Sequence, residues 1–254
     1  MRGIINIYIA FIMIISFIIS SCKYDEPEPE PIPVTIGNVQ FRFINEIDGQ
    51  SIQAGNISYT NEAGNVYSVD ELFYYISNMT FIKDDGTEYK TIENYELIDH
   101  NYEDSKTFEL DSIPFGIYTS IRFNVGVDST RNFAGPLTGD LDPVLGMLWD
   151  WQTGYVYFKH EGYFIDSTGV QQEVHFHYGT LKALVTEEIP ISLEVNSEKR
   201  IVDVTFNLNK VYRSPNLMDF NGENWHQSTG PGENGWVQLI KQNFEDAFEI
   251  THVQ

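Results

Sequence analysis

The sequence predicts a mainly β fold, an antiparallel β-sandwich or open barrel with one amphipathic helix at the C-terminus. Three observations lead there. First, apolar residues alternate at period two along short runs: Val39, Phe41 and Phe43; Phe73, Tyr75, Met79 and Phe81; Ile121, Phe123 and Val125; Tyr155 and Tyr157; Ile201, Val204, Phe206 and Leu208. Such alternation, rich in aromatic and β-branched residues, suits a strand with one buried face. Second, the turn formers Asp85-Gly86, Pro114-Phe115-Gly116, Ser167-Thr168-Gly169 and Asn196-Ser197 fall between the runs and reverse the chain. Third, only from Asn234 does the spacing change to three and four residues, through Trp236, Leu239, Ile240, Phe244 and Phe248, with Asn234 placed to cap a helix.

Residues 1–21 carry one charge, Arg2, and an apolar run from Ile4 to Ile19 that ends in Ser20-Ser21-Cys22. That run is short for a bilayer span and closes on small residues, so it reads as a secretory signal peptide. The small residues before Cys22 resemble the lipobox of bacterial lipoproteins, which implies acylation of Cys22 and a membrane anchor through it. Lys23-Tyr24-Asp25-Glu26 is similar to the surface-export signal of Bacteroidetes lipoproteins, and this implies an outer-membrane lipoprotein displayed at the cell surface. Cys22 is the single cysteine, so the chain relies on its core and not on a disulfide. Residues 22–33 continue as the acylated cysteine and an acidic, Pro-rich spacer. Its DEPEPEPIP stretch favours extended polyproline geometry and a reach of about 28 Å. Residues 34–254 then read as one domain, with no repeat, low-complexity tract or second linker, and with length enough for a substantial core. Within it, a short helical turn is expected at Lys210–Tyr212 before Pro215. Arg131 to Gly146, rich in Gly, Pro and Asp, reads as a long loop.

The formal net charge is −22, and removal of residues 1–21 takes away only the positive charge of Arg2. A chain this acidic repels nucleic acid and favours cations. Catalytic motifs are missing: the domain has no thiol nucleophile, no Gly-x-Ser-x-Gly elbow, no phosphate loop and no His-Glu-x-x-His pair, so a non-enzymatic protein is expected. Asp84-Asp85-Gly86 and Asp140-Leu141-Asp142-Pro143 lack the ligand spacing of a calcium loop and read as turns.

The chemistry concentrates between Gly146 and Gly179. There Met147, Trp149 and Trp151 precede Lys159-His160-Glu161-Gly162 and His175-Phe176-His177-Tyr178-Gly179. Thioether and imidazole are soft or borderline donors suited to copper. The i, i+2 spacing of His175 and His177 on a strand puts both imidazoles on one face, while Val174, Phe176 and Tyr178 fill the other. A carboxylate such as Glu173 or Asp150 is the expected group to orient an imidazole. His160, between Lys159 and Glu161, is expected on a solvent face. The remaining histidines are scattered: His100 at a strand end, His252 near the C-terminus, and His226 before a Gly-rich loop that would fold over a site. On local grounds Trp149 and Trp151 also suit core packing or a carbohydrate-stacking platform, and the alternative function is a surface module that recognises glycan or protein through exposed aromatics.

A longer pattern favours metal. Phe73-Tyr74-Tyr75-Ile76-Ser77-Asn78, Pro114-Phe115-Gly116-Ile117-Tyr118, Asn124-Val125-Gly126-Val127-Asp128, the Gly146–Tyr155 tryptophan block and Phe176-His177-Tyr178-Gly179 together resemble the MbnP-like copper-binding domain family. They appear in that family's order and extend over most of residues 36–254. The resemblance implies a β-rich domain binding one copper ion through histidines and a tryptophan that a partner dihaem enzyme has oxidised to kynurenine. It points to His177, in the His-x-Gly position, as a ligand. Trp149 or Trp151 would be the modified residue, and His175, His226, His252 or His100 the second histidine. The reading that follows is a surface-anchored lipoprotein that sequesters or acquires copper.

Overall fold

The structure, a computed structural model, describes residues 35–135, 137–150, 152–228 and 235–254. The signal peptide, Cys22, the spacer, Trp151 and Asn234 lie outside the described residues. In chain order the principal elements are β1 (Ile36–Ile47), β2 (Glu71–Ile82), β3 (Tyr95–Asp99), β4 (Thr107–Pro114), β5 (Gly116–Val125), β6 (Leu148–Asp150), β7 (Gly154–Ile165), β8 (Gln171–Gly179), β9 (Val185–Val195), β10 (Arg200–Asn207), α1 (Leu208–Arg213), β11 (Trp225–Gln227), α2 (Gly235–Asn243) and β12 (Phe248–Val253).

Alternating burial divides these strands between two sheets. One runs β12–β10–β1, with β4 on the other edge of β1, and the second runs β9–β5–β2–β7–β8–β11. β3 pairs with β2, and the short β6 pairs with β7. The pairing is antiparallel except at β1/β10 and β8/β11. Those partners are distant in sequence, so no tight turn dictates their direction. The mainly antiparallel β architecture predicted from the period-two runs is therefore the one observed, and Val34–Gln254 makes one compact unit.

The sheets meet through aromatic rings. Phe206 of β10 lies 4.8 Å from both Tyr74 of β2 and Phe248 of β12, and Phe123 of β5 reaches Phe248 at 5.4 Å. A second group joins the helices to β8: Phe176 lies 5.2 Å from Trp236 of α2 and 5.3 Å from Phe220, which is 5.0 Å from Tyr212 of α1. Tilted and edge-on ring packing of this kind adds to the area each ring removes from water.

Several local expectations are corrected. The C-terminal helix ends at Asn243 and Phe248 opens strand β12, because the edge of β10 supplies backbone partners there: Phe206 faces Phe248 in the ladder. Leu208 starts α1 instead of ending a strand. β2 is buried on both sides through Tyr74 and Tyr75, leaving Phe73 half-buried.

His160 is the clearest correction. Its charged neighbours suggest solvent, yet it is fully buried, because alternation sends Lys159 and Glu161 outward and His160 inward. Nε2–H donates to the Ser68 carbonyl at 3.1 Å, and Nδ1 accepts from the Tyr212 hydroxyl at 2.7 Å. Burial pushes its pKa down to about 4, only partly opposed by Ser68 and Glu161. The native state then binds fewer protons than the unfolded chain between the ordinary histidine pKa and about 4, so stability falls as pH drops through that window. In urea titrations the loss between pH 7 and pH 5 should be about 2 kcal/mol smaller for His160→Gln than for the wild type; equal losses would contradict this role.

Candidate metal centre

β7 and β8 form an antiparallel ladder in which Lys159 faces His177 and Glu161 faces His175. On the other side of β7, β2 sets Phe73 beside Lys159 and Glu71 beside Glu161. On the other side of β8, the edge strand β11 aligns Trp225 with His175 and Gln227 with His177. Because side chains alternate, all of these groups share the outer face, while Phe158, His160, Val174, Phe176 and Tyr178 hold the inner one.

Within that face Glu161, His175 and His177 each bring a ligand-competent atom to within 4.8 Å of the others. His177 Nε2 lies 2.7 Å from Glu161 Oε1, and His175 Nδ1 lies 3.5 Å from the same oxygen. The two imidazole centroids are 3.9 Å apart. Trp225 stacks flat on His175 at 3.8 Å and 8°, and the Gln227 amide meets His175 Nε2 at 3.0 Å. Beside them opens a shallow depression of about 280 Å³ lined by Asp70, Glu71, Glu161, Glu173, His175 and Trp225.

The electrostatics keep both imidazoles neutral. Burial, opposed only in part by the hydrogen bond to Glu161 and reinforced by His175 and Lys159, brings the His177 pKa down to about 4. His175 is likewise lowered, chiefly by burial. Burial works against the charge of Glu161, but His177 and Lys159 outweigh it and hold its pKa below the ordinary carboxylate value. Near neutral pH the trio is thus two neutral imidazoles and one carboxylate. That is the protonation state metal coordination requires, so no proton has to be driven off a charged imidazole. Two nitrogens and one oxygen suit a first-row transition ion, and the residues present fit copper.

The other histidines do not join this face. His226 sits at the intermediate position of β11, opposite Phe176, so its ring turns inward. There it stacks on Trp236 at 4.0 Å, and Nδ1 pairs with Glu223. His252 is on β12 in the other sheet, opposite Asp203, and exposed. His100 follows β3 with Nδ1 facing the Asn45 amide at 3.5 Å. Met147 is buried in the hydrophobic core. Asp150 spends its carboxylate on the backbone of Gln152 and Thr153, both at 2.7 Å. Glu173 lines the depression, but Glu161 is the carboxylate that holds His177.

Trp149 is half-buried against the core. Its ring lies where a side chain on Gly179 would stand: a Cβ there would meet indole carbons at 2.7 and 2.8 Å and the Tyr155 carbonyl oxygen at 2.6 Å. Gly179 shares the parity of His175 and His177 along β8, so the His-x-Gly spacing admits the indole on the face that carries His177. Trp151 lies outside the described residues. Sequence reasoning missed Glu161, Trp225 and Gln227 as members of the constellation. The signal it had was charge alternation in Lys159-His160-Glu161, which marks an outer face once parity is applied.

The family model described as MbnP matches residues 36–229. Among solved structures the chain is similar to MbnP from Methylosinus trichosporium, with a TM-score of 0.51 and 16% identity over 82% of this chain and 88% of that one. No curated protein matches.

The steric reading of Gly179 is testable. Gly179→Ala should displace the Trp149 indole and cost about 2 kcal/mol, in the range of overpacking substitutions. Near-UV circular dichroism and urea denaturation read the two effects. An unchanged spectrum with unchanged stability would contradict the packing described.

Proposed function

The chain belongs to the MbnP family, and on that premise we propose that it binds a single copper ion at the outer face of β7 and β8, with His177 and His175 as ligands. The family is associated with copper. The observation that carries the reading to these residues is the convergence of two neutral imidazoles and a carboxylate within 4.8 Å on one acid-rimmed face. The acidic surface, with net charge −22, favours a cation's approach. Of the two paired tryptophans, Trp149 is placed over Gly179 on that face, and it is the residue we assign to the tryptophan-derived ligand implied by the family resemblance, a dihaem oxidase being the partner. Acylation at Cys22 would hold the domain at the outer membrane, displayed at the cell surface. The role is sequestration or acquisition of copper, with no chemical turnover.

Titration of residues 34–254 with copper, followed by calorimetry, tests this reading. Saturable one-to-one binding at micromolar metal is expected, weakened at least about tenfold by His177→Ala or His175→Ala. His252→Ala and His226→Ala, which alter other faces, should leave it unchanged. Absence of saturable binding, or indifference to His177→Ala, would overturn the assignment.

A further inference from the structure

A cavity of about 520 Å³ opens where the edge of β3 meets the 3-10 turn Glu103–Lys106 and the start of β4, beside the loop that carries Asp140. Phe73 and Phe108, packed on the core, give it apolar walls, and Glu96, Asp99, Asp104 and Asp140 bring it four carboxylates. No lysine, arginine or histidine lines it, and Lys106 of the turn pairs with Glu103 instead. None of the four carboxylates has an ion-pair partner among the described residues, and Glu96, half-buried, has no hydrogen bond there either. Burial and the nearby charge of Asp140 push its pKa up to about 7. A carboxylate held out of water without a partner is costly, and a cation entering the cavity would offset that cost. An apolar pocket with a few converging polar groups and a perturbed acid has the character of a ligand site.

The walls are held in place by their own hydrogen bonds. Asp140 Oδ2 accepts from the Leu97 N–H at 2.7 Å, and the Asp140 carbonyl accepts from the Tyr75 hydroxyl at 2.9 Å. Across the cavity the Ser105 hydroxyl accepts from the Asp99 N–H at 2.9 Å and faces the Asp99 carbonyl oxygen at 2.9 Å. These contacts occupy the backbone groups that β3 turns away from β2 at Leu97 and Asp99. The edge is therefore closed to an added strand, and the cavity suits a small molecule and not an extended peptide.

We infer that this cavity binds an aliphatic polyamine, its ammonium groups on the carboxylates and its methylenes against Phe73 and Phe108. The spread of the charges favours such a ligand over a metal ion. Among the described residues only Glu161, His175 and His177 gather three ligand atoms within 4.8 Å of one another, so the carboxylates here are distributed along the cavity and not focused on a point. Separated ammonium groups match distributed carboxylates, and each one that binds relieves the repulsion between neighbours such as Glu96 and Asp140. A net charge of −22 draws a polycation in. The cavity shares no residue with the proposed copper site or the depression beside it, so the two readings stand or fall separately.

Calorimetry with spermidine, a triamine, on the 34–254 protein in about 0.15 M salt tests the inference. Saturable one-to-one binding at micromolar concentration is expected, displaced neither by an equal concentration of Mg(II) nor by hexanediol. Glu96→Gln should weaken it about tenfold. Asp104→Asn, a change at an exposed position that leaves the core untouched, should weaken it about threefold. His177→Ala should leave it unchanged. Facing Glu96 are Asp99 on its own strand, Asp140, Asp104, and Glu109 and Asp111 of β4. Raising the pH from about 6 to about 7.5 ionises Glu96 and should tighten wild-type binding about fivefold, with a smaller change in Glu96→Gln.

No saturation below about 1 mM spermidine, or ready displacement by Mg(II), would overturn the inference and leave an acidic surface that attracts any cation. Wild-type affinity in both Glu96→Gln and Asp104→Asn would overturn it as well. Loss of binding with His177→Ala would move the polyamine to the outer face of β7 and β8. Preference for an oligolysine peptide over spermidine would overturn the small-ligand assignment in favour of a basic protein partner.

Discussion

The register between β7 and β8 is the constraint from which the proposed metal-binding face follows. Glu161 faces His175 and Lys159 faces His177 only in this pairing, and because side chains alternate strictly, a slip of one residue would send the set to the opposite face. What fixes the register is the inner face. Phe158, His160, Phe176 and Tyr178 are buried there, and His160 is tied to Ser68 and Tyr212 by both ring nitrogens. A buried imidazole without partners would be costly, so satisfying both nitrogens pins the strand more specifically than apolar packing alone.

The same inner-face order determines the electrostatics outside. Its packing half-buries His175 and His177, which lowers their pKa values, while the acidic rim of Asp70, Glu71 and Glu173 remains open to water. Imidazoles that stay neutral beside a field of carboxylates are suited to cations. Lys159 is the exception in this rim, and its two carboxylate partners account for a cation held there.

Much of this was legible in the chain. Period-two runs gave the β architecture, and the i, i+2 histidines gave a shared face, because both depend on local alternation. Glu161 was not legible as their partner, since its position relative to His175 depends on cross-strand register, a non-local quantity. His160 was misplaced by weighing its charged neighbours above its parity. His226 lies in a three-residue edge strand too short to show a period, so its inward turn against Trp236 becomes visible only when β11 pairs with β8. Phe248 continued the helical spacing in sequence, but unpaired backbone on β10 drew it into a strand.

The most direct measurement of the central claim is the anomalous scattering of copper in crystals of the domain. A single strong peak bounded by the imidazoles of His175 and His177 and the carboxylate of Glu161 is the expected result. A peak at His252 or His226, or copper ordered nowhere on the outer face of β7 and β8, would contradict it.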